Sequence, residues 1–100
     1  MAQRRKLPPI RPGELLRDEL GEIGVSLNEL ARALRVPMNW ISAIVNGKRA
    51  VTVDTAMRLA RCFGTSPQYW LNLQVAYDLE VARREMQPRI DREVPPRTAA

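Results

Sequence analysis

Between Ser26 and Arg49 the chain reads SLNELARALRVPMNWISAIVNGKR, an order of start and stop signals that confines this stretch to two short helices and a tight turn. Ser26 is placed to cap a helix N-terminus, and Glu29, three residues on, completes a capping box. Leu27, Leu30, Ala31 and Leu34 recur at helical spacing and make one apolar face. Arg35 and Val36 form the turn, and Pro37 opens the next helix at a position where its missing N–H leaves nothing unpaired. Ile41, Ile44 and Val45 give that second helix a buried side, and Asn46-Gly47 end it with residues that tolerate a left-handed backbone. Its outward side then carries Met38, Asn39, Trp40, Ser42 and Ala43. In a basic chain, a helix-turn-helix with a polar, reachable second helix points to DNA.

The chain is indeed basic. Its 100 residues carry a formal net charge of +5, and all but two of the 16 basic residues are Arg. Such an excess suits a polyanionic partner, but small proteins are basic for other reasons too, so the motif rather than the charge carries the reading. One hundred residues make one domain, and an apolar fraction of 45% supports a core that stays marginal without oligomerisation. The single Cys62 has no partner for an internal disulfide, which points to a reducing compartment. No apolar run approaches the roughly 18 residues of a membrane span. The start, MAQRRKLPP, lacks the apolar segment of a secretory signal. The expected location is the cytoplasm.

The flanks extend the helical reading to an all-α, five-helix domain. Residues 1–11 are basic and interrupted by proline, which reads as an extended, flexible arm. The domain proper covers 12–86. A first helix starts near Pro12-Gly13, with Leu15, Leu16, Leu20 and Ile23 at three-to-four spacing and Glu14 in its first turn. After the motif, Thr52 caps a fourth helix whose buried side is Ala56, Leu59, Ala60 and Phe63, ended by Gly64. Ser66-Pro67 start a fifth, reaching about Met86. From Gln87 to Ala100 the sequence is rich in proline and charge and reads as a disordered tail.

The second helix of such a pair lies in the major groove with its N-terminal residues nearest the base edges. Asn39 is the best base reader, because its amide matches adenine N6 and N7 together. Met38 and Ala43 suit a thymine methyl, and Ser42 a base edge or a phosphate. Trp40 is open to three roles: closing the core edge, stacking on sugar-phosphate, or meeting a protein. Phosphates are expected at Ser26 and Leu27, where a helix N-terminus presents free N–H groups, and at Lys48 and Arg49. Arg4 or Arg5 joins them if the arm reaches DNA. Arg17, Arg58, Arg61 and Arg92 read as solvated surface charges. Arg35 falls where the chain passes through positive φ and glycine is usual, so either the turn accepts strain of about 1 kcal/mol or its geometry differs. On the fifth helix Trp70, Leu73, Tyr77 and Val81 form one apolar stripe, and Leu71, Val75, Leu79, Ala82 and Met86 another. Two stripes exceed one core contact, so Leu71, Val75, Leu79, Ala82 and Tyr77 are expected to pack on a second subunit.

Taken together, RPGELLRDEL, SLNELARALRVP, ISAIVNGKRAVT and DTAMRLARCFGTSPQYWLNLQVAYDL resemble the HigA-type antitoxins, also called VapI-like, of the XRE/Cro helix-turn-helix group. The resemblance covers about Arg11 to Arg84. It implies a lambda-repressor-like domain and a homodimer that binds a palindromic operator and represses its own operon. It also implies a toxin partner of the HigB/RelE type that cleaves messenger RNA on the ribosome. The family's groove-reading segment maps onto Met38, Asn39, Trp40, Ser42 and Ala43, with Lys48 and Arg49 following. Trp40 stands where many relatives carry Arg, and Arg35 where Gly is common.

An enzyme reading finds little support. The chain has no His, no Gly-rich phosphate loop and no cluster of metal ligands, so no catalytic residue, metal or cofactor is expected. Cys62 lies within an apolar helix pattern and reads as a core filler. The contest is between an antitoxin-repressor and a stand-alone XRE-family transcriptional repressor without a toxin. A protein-binding adaptor would need DNA affinity to be absent. For the toxin-binding surface, the basic arm, the acidic side of the first helix (Glu14, Asp18, Glu19, Glu22) and the tail all stay open.

Overall fold

In a computed structural model that describes residues 10–98, the chain forms six helices and, among the described residues, no strand. They are α1 (Pro12–Ile23), α2 (Leu27–Leu34), α3 (Met38–Val45), α4 (Val53–Phe63), α5 (Pro67–Glu85) and α6 (Gln87–Glu93). The all-α expectation holds, with one helix more than the sequence promised. Nearly all of the arm lies outside the described residues. α1 and α2 pack on α3, α4 packs on α2 and α5, and α5 returns against α1. Leu16, Leu20, Leu30, Leu34, Ile41, Ile44, Leu59 and Trp70 meet in the shared core.

The helix boundaries follow the capping residues. Ser26 and Glu29 form the expected box: the Ser26 hydroxyl accepts from the Glu29 N–H, and the Ser26 N–H donates to the Glu29 carboxylate at 2.8 Å. Thr52 and Ser66 cap α4 and α5 through their hydroxyls. Between α2 and α3, Arg35 sits at φ 60°, ψ 43°, so the turn takes the left-handed geometry with a side chain that disfavours it. The cost is of order 1 kcal/mol. Arg58, expected to be a solvated charge, braces this turn instead. Its guanidinium donates to the Leu34 carbonyl at 2.8 Å, satisfying an orphan acceptor at the end of α2, while Asp54 holds its Nε at 3.0 Å.

Three further expectations need correction. The segment 87–93 is helical rather than an irregular tail. Pro88 falls in the first turn, where proline is tolerated, and Gln87–Asp91 and Arg89–Glu93 pair one turn apart. α6 buries nothing, so these local pairs are what the helix has. Cys62 is exposed, because the buried side of α4 is made by Thr55, Ala56, Leu59 and Ala60 and position 62 faces away from it. Ile23 is exposed as well, since the last turn of α1 runs past the core.

One close approach positions the motif. A Cβ on Gly13 would overlap the Ile44 carbonyl oxygen, so α1 meets the last turn of α3 backbone to backbone. Gly21, on the same helix, has nothing within 4 Å of such a Cβ. Gly13→Ala is therefore expected to destabilise the fold by about 3 kcal/mol. Gly21→Ala should stabilise it by up to about 1 kcal/mol through helix propensity alone. Urea unfolding followed by circular dichroism separates the two.

Candidate nucleic-acid interface

α3 turns Ile41, Ile44 and Val45 into the core and leaves the opposite side open. Asn39 is exposed, Met38 is 38% exposed, and Ser42 and Ala43 are half-buried along the same face. α3 ends in a left-handed Gly47 (φ 77°), with the Gly47 and Lys48 N–H groups donating back to the Ile44 and Ala43 carbonyls. That turn delivers Lys48 and Arg49 to the edge of the recognition face.

Trp40 and Arg49 form a unit. The Arg49 guanidinium lies over the indole with its carbon 4.1 Å from the ring centroid, a cation–π contact that fixes the charge beside α3. Its Nε is shielded from solvent without a hydrogen-bond partner, so among the described residues the guanidinium is held by stacking and not by a carboxylate. The half-buried Trp40 ring thus serves as a platform for a cation, which is not among the three roles expected of it.

At the start of α2 the capping box uses the Ser26 and Glu29 N–H groups, and Leu30 donates to the Ser26 carbonyl. The Leu27 and Asn28 N–H groups remain for an anion. Leu27 itself packs against the core, so only its backbone can contribute. The Ser26 backbone N–H, then its hydroxyl, and more weakly the Arg32 charge hold the Glu29 carboxyl below its usual 4.5. A negative charge is thereby kept at the mouth of the same helix end.

The chain matches the helix-turn-helix family model over residues 16–70. It is 47% identical over 87 residues to virulence-associated protein I of Dichelobacter nodosus, covering 86% of this chain and 81% of that one. An addiction module antidote protein of a HigA family from Coxiella burnetii superposes with a TM-score of 0.88 at 49% identity, over 91% of this chain and 100% of the other. The Pseudomonas aeruginosa antitoxin HigA, solved with the higBA promoter, gives 0.86 at 44% identity over 90% and 99%. This chain belongs to the HigA/VapI-type antitoxins of the XRE helix-turn-helix family.

Within this HigA-type chain, Met38, Asn39, Trp40, Ser42, Ala43, Lys48 and Arg49 are gathered on and just after α3, and Ser26 and Leu27 lie at the start of the preceding helix. Sequence reasoning missed two arginines beside them. Arg17, read as a solvated charge, reaches across from α1 to the Asn46 side chain at 3.3 Å. Arg11, assigned to the arm, pairs with Glu14 at 3.4 Å and lies over the α-carbon of Gly47. Position 11 directly before the PGE run was the available signal: a residue next to a helix start shares that helix's docking. On α5, Val75 and Leu79 are 54% and 47% exposed, Leu71 and Ala82 half-buried. Tyr77 lines a cavity of about 200 Å³ with Lys48 and Arg49. A larger cleft of about 480 Å³ between α2 and α4, lined by Arg35, Met57, Arg61 and Cys62, contains none of the expected DNA contacts.

The lowered Glu29 carboxyl fixes the sign of an acid effect. Its stabilising contribution is complete above the ordinary value of 4.5 and is lost as pH falls through the lowered folded value. Glu29→Gln is expected to flatten that part of the acid limb in a pH series of urea midpoints and to leave stability at pH 7 lower than wild type.

Proposed function

We propose that this HigA-type chain is the DNA-binding antitoxin of a type II toxin–antitoxin pair. In this reading it binds a palindromic operator as a homodimer in the cytoplasm, represses its own operon and neutralises a HigB/RelE-like, mRNA-cleaving toxin without catalysing a reaction. The observation that carries the DNA half is the recognition face itself. Exposed Asn39 and Met38 stand beside Lys48 and the Trp40-stacked Arg49, and the free Leu27 and Asn28 N–H groups close the preceding helix end. Base edges would be read from α3 and phosphates held at its flanks. The Pseudomonas relative solved with its promoter supports operator binding by this chain. The toxin half rests on family membership.

The test is co-expression with the small open reading frame beside this gene. Growth arrest by the neighbour, relieved by this chain through a complex that co-purifies, upholds the antitoxin reading. A harmless neighbour together with a shift of the promoter DNA would make the chain a stand-alone repressor. Asn39→Ala combined with Lys48→Ala is expected to abolish repression while leaving neutralisation intact. Lys48→Ala alone should reduce the salt slope of operator binding by about one, read in a fluorescence-anisotropy titration.

The homodimer reading rests on α5. Val75 and Leu79 are one turn apart and open, and a helix-turn-helix reads a palindrome with two copies. Val75→Glu with Leu79→Glu is expected to give a monomer in sedimentation velocity and at least a tenfold loss of operator affinity, with helix content unchanged.

A further inference from the structure

Three polar side chains form a directed hydrogen-bond chain across the seam between α1 and α3. The Arg17 guanidinium donates to Oδ1 of Asn46 at 3.3 Å, and Nδ2 of Asn46 donates to Oγ of Ser42 at 3.5 Å. Its direction is not reversible. A guanidinium has donors only, so the amide must turn its oxygen to Arg17 and its NH₂ to Ser42. One Ser42 lone pair is then engaged, and among the described residues the hydroxyl proton has no acceptor. Both contacts are long and exposed, so they add little to the stability of the fold and act mainly by favouring one amide orientation over the other.

We infer that Asn46, oriented by Arg17, sets the Ser42 hydroxyl as a hydrogen-bond donor toward the major groove, so that one operator position is selected for a base edge offering an acceptor. This rests on the operator-binding reading above. Guanine O6 and N7, adenine N7 and thymine O4 are acceptors in the groove, whereas cytosine N4 and adenine N6 present amine donors. A second lone pair remains on Ser42, so the selection is graded. Asn46 and Arg17 act as positioning residues; neither has to touch DNA.

Asn46→Asp tests this with an almost isosteric change. A carboxylate accepts from Arg17 and also from the Ser42 hydroxyl, which consumes the proton and leaves only lone pairs facing the groove. The donor–acceptor polarity of Ser42 inverts. Arg17→Ala releases the amide, so that either orientation is allowed.

The experiment is a binding selection on duplexes randomised across the chain's own promoter, run with the full-length wild type, Ser42→Ala, Asn46→Asp and Arg17→Ala. Ser42→Ala marks the position concerned by flattening its base preference. At that position Asn46→Asp is expected to exchange the preferred base for one that offers an amine donor there, cytosine or adenine, by roughly three- to tenfold. Arg17→Ala should only weaken the preference, and other positions should stay as in wild type. The added charge of Asn46→Asp lowers affinity for all sequences alike, which a preference ratio does not register. If Ser42→Ala flattens no position, or Asn46→Asp keeps the wild-type base, the inference is overturned while operator binding stands. A wild type that selects no sequence removes the operator reading and this inference with it.

Discussion

α1 approaches the end of α3 closely because Gly13 presents no side chain to the Ile44 carbonyl, and the placement of α3 depends on that contact. With the two backbones touching, Arg11 lies across Gly47 and Arg17 comes within reach of Asn46. The last turn of α3 is thus held from behind, while Ile41 and Ile44 anchor its inner side in the core. Its other end is set by the left-handed turn at Arg35, whose strain the local structure tolerates. Arg58 from α4 binds the Leu34 carbonyl one residue earlier, so the turn is braced at its exit from α2. α3 is short, eight residues from Met38 to Val45, and an isolated helix of that length would not persist in water. Its order is tertiary in origin.

Much of this was legible in the sequence, because capping is local chemistry. Ser26 with Glu29, Thr52, Ser66-Pro67, Asn46-Gly47 and Gly64 each mark a helix end within a few residues of the side chain that makes it. The apolar face of α3 was equally plain. What escaped depends on contacts between elements. Arg17 and Arg58 look like any surface arginine until α1 meets α3 and α4 meets α2. Cys62 belongs to an apolar pattern but lines the open cleft between α2 and α4, outside the buried side of α4. α6 was hidden by its prolines, which count against a helix except in the first turn, where Pro88 falls. For the candidate site, the residues were readable and their pairing was not: nothing in the spacing of Trp40 and Arg49 announces a stack.

The electrostatics of the face are arranged by side chains that are themselves held. Arg49 is oriented by an indole and Arg11 by Glu14, so their positive charge is placed rather than waving in solvent. Glu29 works in the other direction. Its carboxylate is kept ionised at the start of α2, where it stabilises that helix but leaves only two backbone donors for an anion. Fold stability and anion capture compete at this one helix end, and the capping box settles the competition for the fold.

The two tryptophans have opposite surroundings. Trp70 is 3% exposed, donates its indole N–H to Thr65 and packs against Phe63 and Tyr69. Trp40 lies at the edge of the open face of α3 beneath a guanidinium. The chain therefore carries two intrinsic optical reporters that answer different questions. Emission from the first follows the integrity of the core, and emission from the second follows whatever settles on α3. Replacing either by phenylalanine isolates the other, so that global unfolding and occupancy of the open face of α3 can be watched in one unlabelled molecule.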